Sequence, residues 1–396
     1  MVHKIAEVTG RAPGKLILCG EHAVVHGSTA LAASLGLYTQ VRIQNSISTA
    51  EPDGHLTIQL TDMNMHFTWP IKRIEAAFQS LSTFDVDPLS VKSCSPDIMQ
   101  CIAAIVDEQE FPEAIIGVAA GVSALLFLYI SIIGFKPATV IVASDIPLGS
   151  GLGSSAALCV AGSGAMLAFS GALDLDVLQG DWLSLKEKKQ EIVNKWAYEG
   201  EKIIHGKPSG IDNTVSTFGN LVKFKSGHLV HIPNVFPIKM LITNTKVGRN
   251  TKALVAGVSE RALRHPQSMM AVFTAVNAIS EEMAEIIQAP FSDDISISEQ
   301  EGKMEELMEM NQGLLQCMGV SHSAIEAVLQ TTSRYKLCSK LTGAGGGGCV
   351  LTLLPKLLSG KVVDKVKADL ESQGFQCFLA TIGGEGVQVC FQCSSS

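Results

Sequence analysis

The feature that most constrains this chain is a glycine-rich stretch, residues 147–157, with the sequence PLGSGLGSSAA. The β-branched, apolar residues of 138–143 before it predict a buried strand. The small and apolar residues of 156–168 after it predict a buried helix that begins at Ser154 or Ser155. Glycines leave backbone N–H groups unshielded, and the first turn of a helix adds unpaired donors and a positive dipole end. This stretch, which we call the phosphate turn, therefore predicts a binding site for an anion, most simply phosphate.

The spacing of the glycines in the phosphate turn can be compared with two known nucleotide-binding motifs. A Walker-type P-loop is excluded, because no lysine follows the glycines at the required position. The dinucleotide fingerprint GxGxxG fits in part, since Gly151, Gly153 and the small Ala156 occupy its three places, so a nicotinamide oxidoreductase stays open. A tight turn without a ligand also stays open, although three glycines and three serines within seven residues disfavour it.

Length and composition narrow the class of protein. A chain of 396 residues exceeds one ordinary core, so we predict two domains, 1–232 and 233–396, divided where Pro233 and Pro237 interrupt the pattern. Hydrophobic content of 46% indicates a globular chain, and a net charge of −8 disfavours nucleic-acid or anionic-membrane partners. The ten cysteines have no paired spacing and the first 15 residues have no apolar signal core. We therefore predict a cytoplasmic protein.

One segment, residues 114–135, is uncharged and long enough to cross a bilayer. It contains three glycines and two serines, and the sequence before it is acidic and lacks a basic anchor. A helix that is apolar on every side also occurs inside large proteins. We therefore predict a buried core helix here and no membrane span.

Periodicity places further elements along the chain. A strand at 16–19 is interrupted at 20–22 and resumes at 23–25, and a loop precedes it. We also predict β structure over 37–69 and 221–232, strands at 239–243 and on both sides of the glycine run 343–348, and helices over 71–83, 97–108, 185–204, about 210 onward, much of 252–330, and 361–373.

Two carboxylates lie close to a glycine-proline turn. Glu201 is in the last turns of the helix 185–204, and Asp212 is in the short helix after the turn at 206–210. Phosphoryl transfer needs one carboxylate for Mg²⁺ and another near the attacking hydroxyl. Each of the two taken alone is more simply a solvated surface residue. As a pair they favour the catalytic and the structural interpretation about equally.

Three segments, taken together, resemble the GHMP small-molecule kinase superfamily, and the resemblance extends over nearly the whole chain. In order along the sequence they are 12–27 (APGKLILCGEHAVVHG), the phosphate turn, and 340–349 (KLTGAGGGGC). The resemblance implies an α+β GHMP kinase fold with a ribosomal-S5-like N-terminal domain and a ferredoxin-like C-terminal domain. It also implies a reaction of isoprenoid and sterol biosynthesis, in which ATP and (R)-mevalonate give ADP and 5-phosphomevalonate.

The resemblance further implies a role for each matched residue. Asp212 would take the proton from the C5 hydroxyl, and Lys15 would lie beside it to neutralise charge. Mg²⁺ would be held by Ser155 and Glu201. The ATP contacts would come from Ser144, Gly149, Ser150, Gly151, Leu152, Gly153, Ser154 and Ser155. The substrate side would comprise Lys15, Glu21, His22, Asp212, Arg249, Thr251 and Ala344.

The resemblance also implies a homodimer and feedback inhibition by isoprenoid diphosphates. The alternatives are a GHMP kinase acting on phosphomevalonate or galactose, and a non-catalytic ligand sensor on the same fold. The run EHAVVHG at 21–27 favours mevalonate, because galactokinases carry an acidic-aromatic pair after the histidine. A sensor would have lost catalytic residues, whereas all four are present here: Lys15, Ser155, Glu201 and Asp212.

Overall fold

A computed structural model describes residues 5–45, 54–79, 81, 85–111, 117–173, 175, 181–233 and 238–393. The strands in these ranges are β1 (Ile5–Cys19), β2 (Ala30–Asn45), β3 (His55–Leu60), β4 (Met65–Pro70), β5 (Ala138–Ser144), β6 (Leu183–Ser184), β7 (Leu221–Lys225), β8 (His228–Ile232), β9 (Ile238–Asn244), β10 (Ser339–Leu341), β11 (Cys349–Leu353), β12 (Gln376–Ile382) and β13 (Gln388–Cys393). The α-helices are α1 (Ile71–Phe78), α2 (Pro96–Val106), α3 (Val118–Ile132), α4 (Ser154–Phe169), α5 (Glu187–His205), α6 (Ile211–Phe218), α7 (Thr251–Arg264), α8 (Pro266–Gln288), α9 (Asp294–Met318), α10 (Ser323–Ser333) and α11 (Gly360–Ser372).

The described strands join one branched sheet, in which the two longest, β1 and β2, are antiparallel neighbours. Its main path runs β10-β11-β9-β12-β2-β1-β13-β6. The opposite edge of β2 is shared by three strands, since it pairs with β7 at residues 30–33, with β12 at Leu35 and with β5 at residues 39–45. Helices and largely antiparallel strands thus occur together, and the predicted α+β class is confirmed.

Two predictions near the N-terminus are wrong. The loop expected before residue 16 is part of β1, which continues through Pro13 and Gly14. A register shift between these two residues accommodates the proline, which cannot donate to a ladder. The strand expected at 23–25 is a 3₁₀ helix, Ala23–His26, and His22 before it has a positive φ of 59°, which breaks the extended backbone of β1. Three apolar residues are too few for periodicity to distinguish the two structures.

Helix α3 is the described part of the apolar segment that was predicted as a core helix. Most of its side chains are buried, and it packs against α4 and α5. Its length of about 22 Å is below the roughly 30 Å of a bilayer's hydrocarbon core. Among the described residues, no helix is both long and apolar enough to cross a membrane.

Three helices position the candidate site. Helices α4, α5 and α6 pack against one another, and α4 also packs against β1 and β2. The N-terminus of α4 and the turn between α5 and α6 each carry residues that the sequence marked as functional. The proposed domain boundary falls beside residues 234–237, which lie outside the described residues.

Candidate active site

The phosphate turn connects β5 to α4, as its sequence predicts. Gly149, Gly151 and Gly153 have φ values of 68°, 78° and 76°, in the left-handed region that favours glycine. Gly153 is the N-cap of α4, so the turn leads directly into the positive end of a helix dipole. Left-handed residues at every second position before a helix N-terminus turn backbone N–H groups toward one side, which is the geometry of an anion site.

A lysine and a carboxylate lie next to the phosphate turn. Lys15 in β1 donates its backbone N–H to the Leu152 carbonyl at 2.8 Å, which fixes the strand against the turn. Its Nζ is 3.2 Å from Oδ1 of Asp212, in the first turn of α6. The lysine side chain is 12% exposed and the aspartate side chain 34%. The aspartate is therefore held by a cation and still accessible to a ligand.

A second carboxylate, Glu201, is buried near this pair and is only 2% exposed. Burial raises its pKa to about 7, a hydrogen bond from Ser155 opposes this rise, and the charge of Asp212 adds to it. Within the described residues, its Oε1 atom has no hydrogen-bond partner. Buried carboxylate oxygens are normally paired, so this one is suited to a cation.

Ser155 and a histidine complete this corner of the site. The Ser155 Oγ atom is 2.9 Å from Nε2 of His205, which lies at the end of α5. The same Nε2 atom is 3.7 Å from the Glu201 Oε1 atom, one helical turn earlier. The sequence prediction missed His205, although its position four residues after Glu201 on one helix was a usable signal.

The segment 20–22 contacts the glycine run 343–348, which we call the second glycine run. His22 is buried, and its Nε2–H donates to the Ala344 carbonyl at 2.9 Å. Burial lowers the pKa of His22, while the hydrogen bond to Ala344 opposes that effect, so the ring is neutral near pH 7. Its Nδ1 atom is buried and lacks a hydrogen bond from any described residue. A neutral ring with this free nitrogen can accept a hydrogen bond from a ligand.

Glu21 forms a buried ion pair that the sequence prediction also missed. Its Oε1 atom is 2.5 Å from Nζ of Lys340, and both side chains are 1% exposed. The ammonium also donates to the Leu341 carbonyl at 2.7 Å. Thr342 completes the connection, because its hydroxyl donates to the Ile17 carbonyl at 2.9 Å and accepts from the Ile17 N–H at 3.1 Å. Segment 12–27 and the second glycine run are thereby held together.

Arg249 reaches the phosphate turn from the segment between β9 and α7. Its Nη2 atom donates to the Ser150 carbonyl at 3.0 Å, while the Ser150 hydroxyl donates to the Pro147 carbonyl at 2.6 Å. The Nη1 atom is buried and has no hydrogen bond to the described part of the chain. Burial lowers the pKa of Arg249, although an arginine stays charged at physiological pH.

Two residues that were predicted as ligand contacts, Ser144 and Thr251, lie at the edge of the candidate site. Ser144 ends β5, and its backbone N–H donates to Oδ2 of Asp62 at 2.6 Å. Its hydroxyl shares a 2.8 Å hydrogen bond with the hydroxyl of Thr39. Thr251 begins α7 and is exposed, next to the N-cap Asn250. Unlike Arg249, neither has a described contact with the phosphate turn through its side chain.

The fold around the phosphate turn, together with two matching family models, is that of a small-molecule kinase of the GHMP type. The family model "GHMP kinases N terminal domain" matches residues 118–220, and "GHMP kinases C terminal" matches residues 297–372. The chain is 56% identical to a mevalonate kinase of Arabidopsis thaliana over 388 residues, which are 97% of this chain and 100% of that protein. It is 38% identical to a human mevalonate kinase over 390 residues, covering 96% and 93% of the two chains. The chain belongs to the mevalonate kinase family.

A solved structure agrees with this assignment at the level of the fold. The crystal structure of an L. major mevalonate kinase in complex with R-mevalonate matches with a TM-score of 0.65 and 22% identity, covering 98% of this chain and 96% of that one. The predicted GHMP kinase fold is confirmed. Membership of this kinase family also implies the use of ATP.

Proposed function

We propose that this enzyme transfers the terminal phosphoryl group of ATP to the C5 hydroxyl of (R)-mevalonate, giving 5-phosphomevalonate and ADP. The observation that carries the proposal is the 56% identity to a mevalonate kinase over nearly the whole chain. The intact pairing of Lys15 with Asp212 at the phosphate turn disfavours a non-catalytic sensor.

Asp212 is proposed to accept the proton of the attacking hydroxyl. Its side chain is one-third exposed beside the turn that would hold the phosphates, and Lys15 is 3.2 Å from it. The ammonium of Lys15 is placed to stabilise negative charge that develops on the transferred group. A base in this position contributes about 10²–10⁴-fold to the rate of such a transfer.

We propose that Ser155 and Glu201 hold Mg²⁺. The buried Glu201 carboxylate, with one oxygen unpaired, fits a hard cation that prefers oxygen ligands. The described residues contain no cluster of three or more His, Cys, Asp or Glu able to hold a metal, so the remaining ligands would be phosphates and water. When bound, Mg²⁺ supplies charge neutralisation on the phosphates.

The rest of the proposed nucleotide site is backbone. The left-handed glycines of the phosphate turn and the first residues of α4, Ser154 and Ser155, offer N–H donors to the phosphates. Leu152 contributes main chain only, because its side chain is buried in the core. Ser144 is proposed to lie toward the nucleotide from the end of β5.

The substrate side is proposed to lie between the two glycine runs. The free Nη1 atom of Arg249 is suited to a carboxylate, and the free Nδ1 atom of His22 to a hydroxyl. Glu21 and Ala344 act there through the ion pair with Lys340 and the hydrogen bond to His22. Thr251 is proposed as a further contact from the start of α7.

We propose three further properties of the protein: its domain boundary, its location, and its assembly and inhibition. The domain boundary after residue 232 is compatible with the family matches, which end at 220 and begin again at 297. A cytoplasmic location agrees with ten cysteines that lack paired spacing. A homodimer, and inhibition by isoprenoid diphosphates that compete with ATP at the phosphate turn, follow from family resemblance.

The function is tested by following ADP release with mevalonate, phosphomevalonate and galactose as separate substrates. The proposal predicts turnover with (R)-mevalonate and at most a background rate with the other two. Turnover with phosphomevalonate alone would favour a phosphomevalonate kinase, and turnover with galactose alone would favour a galactokinase. Turnover with none of the three would contradict the kinase assignment. Adding an isoprenoid diphosphate at several ATP concentrations tests the proposed competition in the same assay.

A further inference from the structure

The three glycines of the phosphate turn face three different environments. At Gly149, a Cβ atom would meet no described atom within 4 Å. At Gly153, it would lie 2.7 Å from Cγ of Lys15. At Gly151, it would lie 1.5 Å from Nη2 of Arg249 and so overlap the guanidinium directly. The middle glycine therefore leaves room for an arginine from the second half of the chain.

The second glycine run bounds the same guanidinium. A Cβ atom at Gly348 would lie 2.3 Å from Nη1 of Arg249 and 2.8 Å from its Cζ atom. We call the space between Gly151 and Gly348 the arginine slot. The slot has room for the guanidinium of Arg249 and also fixes its orientation, because Nη2 donates to the Ser150 carbonyl at 3.0 Å.

We propose that Gly151 and Gly348 are positioning residues for the substrate, since the slot they form holds Arg249 ready for the substrate carboxylate. This inference rests on the proposed function, in which Arg249 binds that carboxylate. It gives Gly151, within the phosphate turn, a role on the substrate side that phosphate binding alone does not assign to it.

Physical reasons favour a preformed slot. A free arginine side chain has many rotamers, and holding it in one orientation before the ligand arrives lowers the entropic cost of binding. The hydrogen bond to Ser150 occupies Nη2, whereas the buried Nη1 atom has no partner in the described chain and is left for a charged acceptor. Gly151 belongs to the phosphate turn and Gly348 to the glycine run 343–348, so both loops determine the shape of the slot.

The test compares alanine at three glycines with similar backbone conformation. Gly149, Gly151 and Gly348 have φ values of 68°, 78° and 71°, so alanine introduces comparable backbone strain at each. Only at Gly151 and Gly348 does the new methyl group overlap Arg249, and the flexible end of that side chain can yield. Gly149→Ala is thus a matched control for strain.

The measurement is the dissociation constant of mevalonate by calorimetry, in nucleotide-free protein whose folding is checked by circular dichroism. We expect Gly151→Ala to weaken binding by about ten-fold or more, because a charge-assisted hydrogen bond is lost. Gly348→Ala should act in the same direction and replaces Gly151→Ala if that variant does not fold. Gly149→Ala should stay within about two-fold of the wild type.

A double-mutant cycle makes the test specific to the arginine. If Gly151→Ala acts through Arg249, it causes little further loss of mevalonate affinity in an Arg249→Ala background. Full additivity, or equal effects of Gly151→Ala and Gly149→Ala while Arg249→Ala alone weakens binding, would overturn the slot and leave the proposed function intact. No mevalonate binding by the wild type, or an unchanged constant for Arg249→Ala, would instead overturn the proposed role of the arginine and the slot with it.

Discussion

Replacing Glu201 by glutamine should stabilise the metal-free protein at high pH. The pKa of this carboxyl rises from 4.5 to about 7 on folding, chiefly through burial. At 1.36 kcal/mol per pKa unit, the charged carboxylate costs the folded state about 3 kcal/mol above pH 7. This cost is absent below about pH 4.5, where the group is protonated in both states, and grows as the pH rises toward 7.

The assay is the midpoint of chemical denaturation in EDTA at pH 5 and pH 8. Relative to wild type, Glu201→Gln should gain about 2.5 kcal/mol between these pH values, because all other titrating groups are shared. Glu191→Gln, an exposed carboxylate on the same helix α5, is the control and should follow the wild type. Parallel pH curves for wild type and Glu201→Gln would refute the assignment of Glu201 as a carboxylate whose charge is destabilised by burial.

Three further substitutions test the other parts of the site. Asp212→Ala should lower kcat by several orders of magnitude with little change in ATP affinity measured by equilibrium binding, and a loss confined to nucleotide affinity would contradict its role as base. Ser155→Ala should raise the Mg²⁺ concentration needed for half-maximal activity, and an unchanged metal dependence would remove it from the metal site. Lys340→Met should lower stability by about 3–5 kcal/mol in thermal or chemical unfolding, because Glu21 is left buried and uncompensated. The Glu21→Gln, Lys340→Met double variant should recover most of that loss, whereas additive losses would argue against the pair.

Secondary-structure elements that depend on residues close together in the sequence were predicted most accurately. The β-branched run before the phosphate turn forms β5, and the small residues after it form α4 from Ser154. The hairpin of β7 and β8 and helix α11 also lie within a few residues of their predicted positions. In each case glycine positions and apolar periodicity determine the element locally.

Structure that depends on distant residues could not be predicted in the same way. The buried pair of Glu21 and Lys340 joins residues 319 apart in sequence, and no local pattern distinguishes this lysine from a solvated one. The overlap of a Gly151 methyl group with Arg249 likewise exists only once two distant loops meet. The extent of β1 was missed because Pro13 normally ends a strand, whereas here a register shift accommodates it.

The most direct test of the proposed chemistry is to identify the product of the reaction with ATP and (R)-mevalonate by phosphorus and carbon NMR. The proposed site predicts one equivalent of ADP for each new phosphate ester, with the phosphate on the C5 oxygen. It also predicts that Asp212→Ala abolishes this signal on the same time scale. Phosphate on another oxygen, or ADP release without a phosphorylated mevalonate, would contradict the proposed transfer to the C5 hydroxyl.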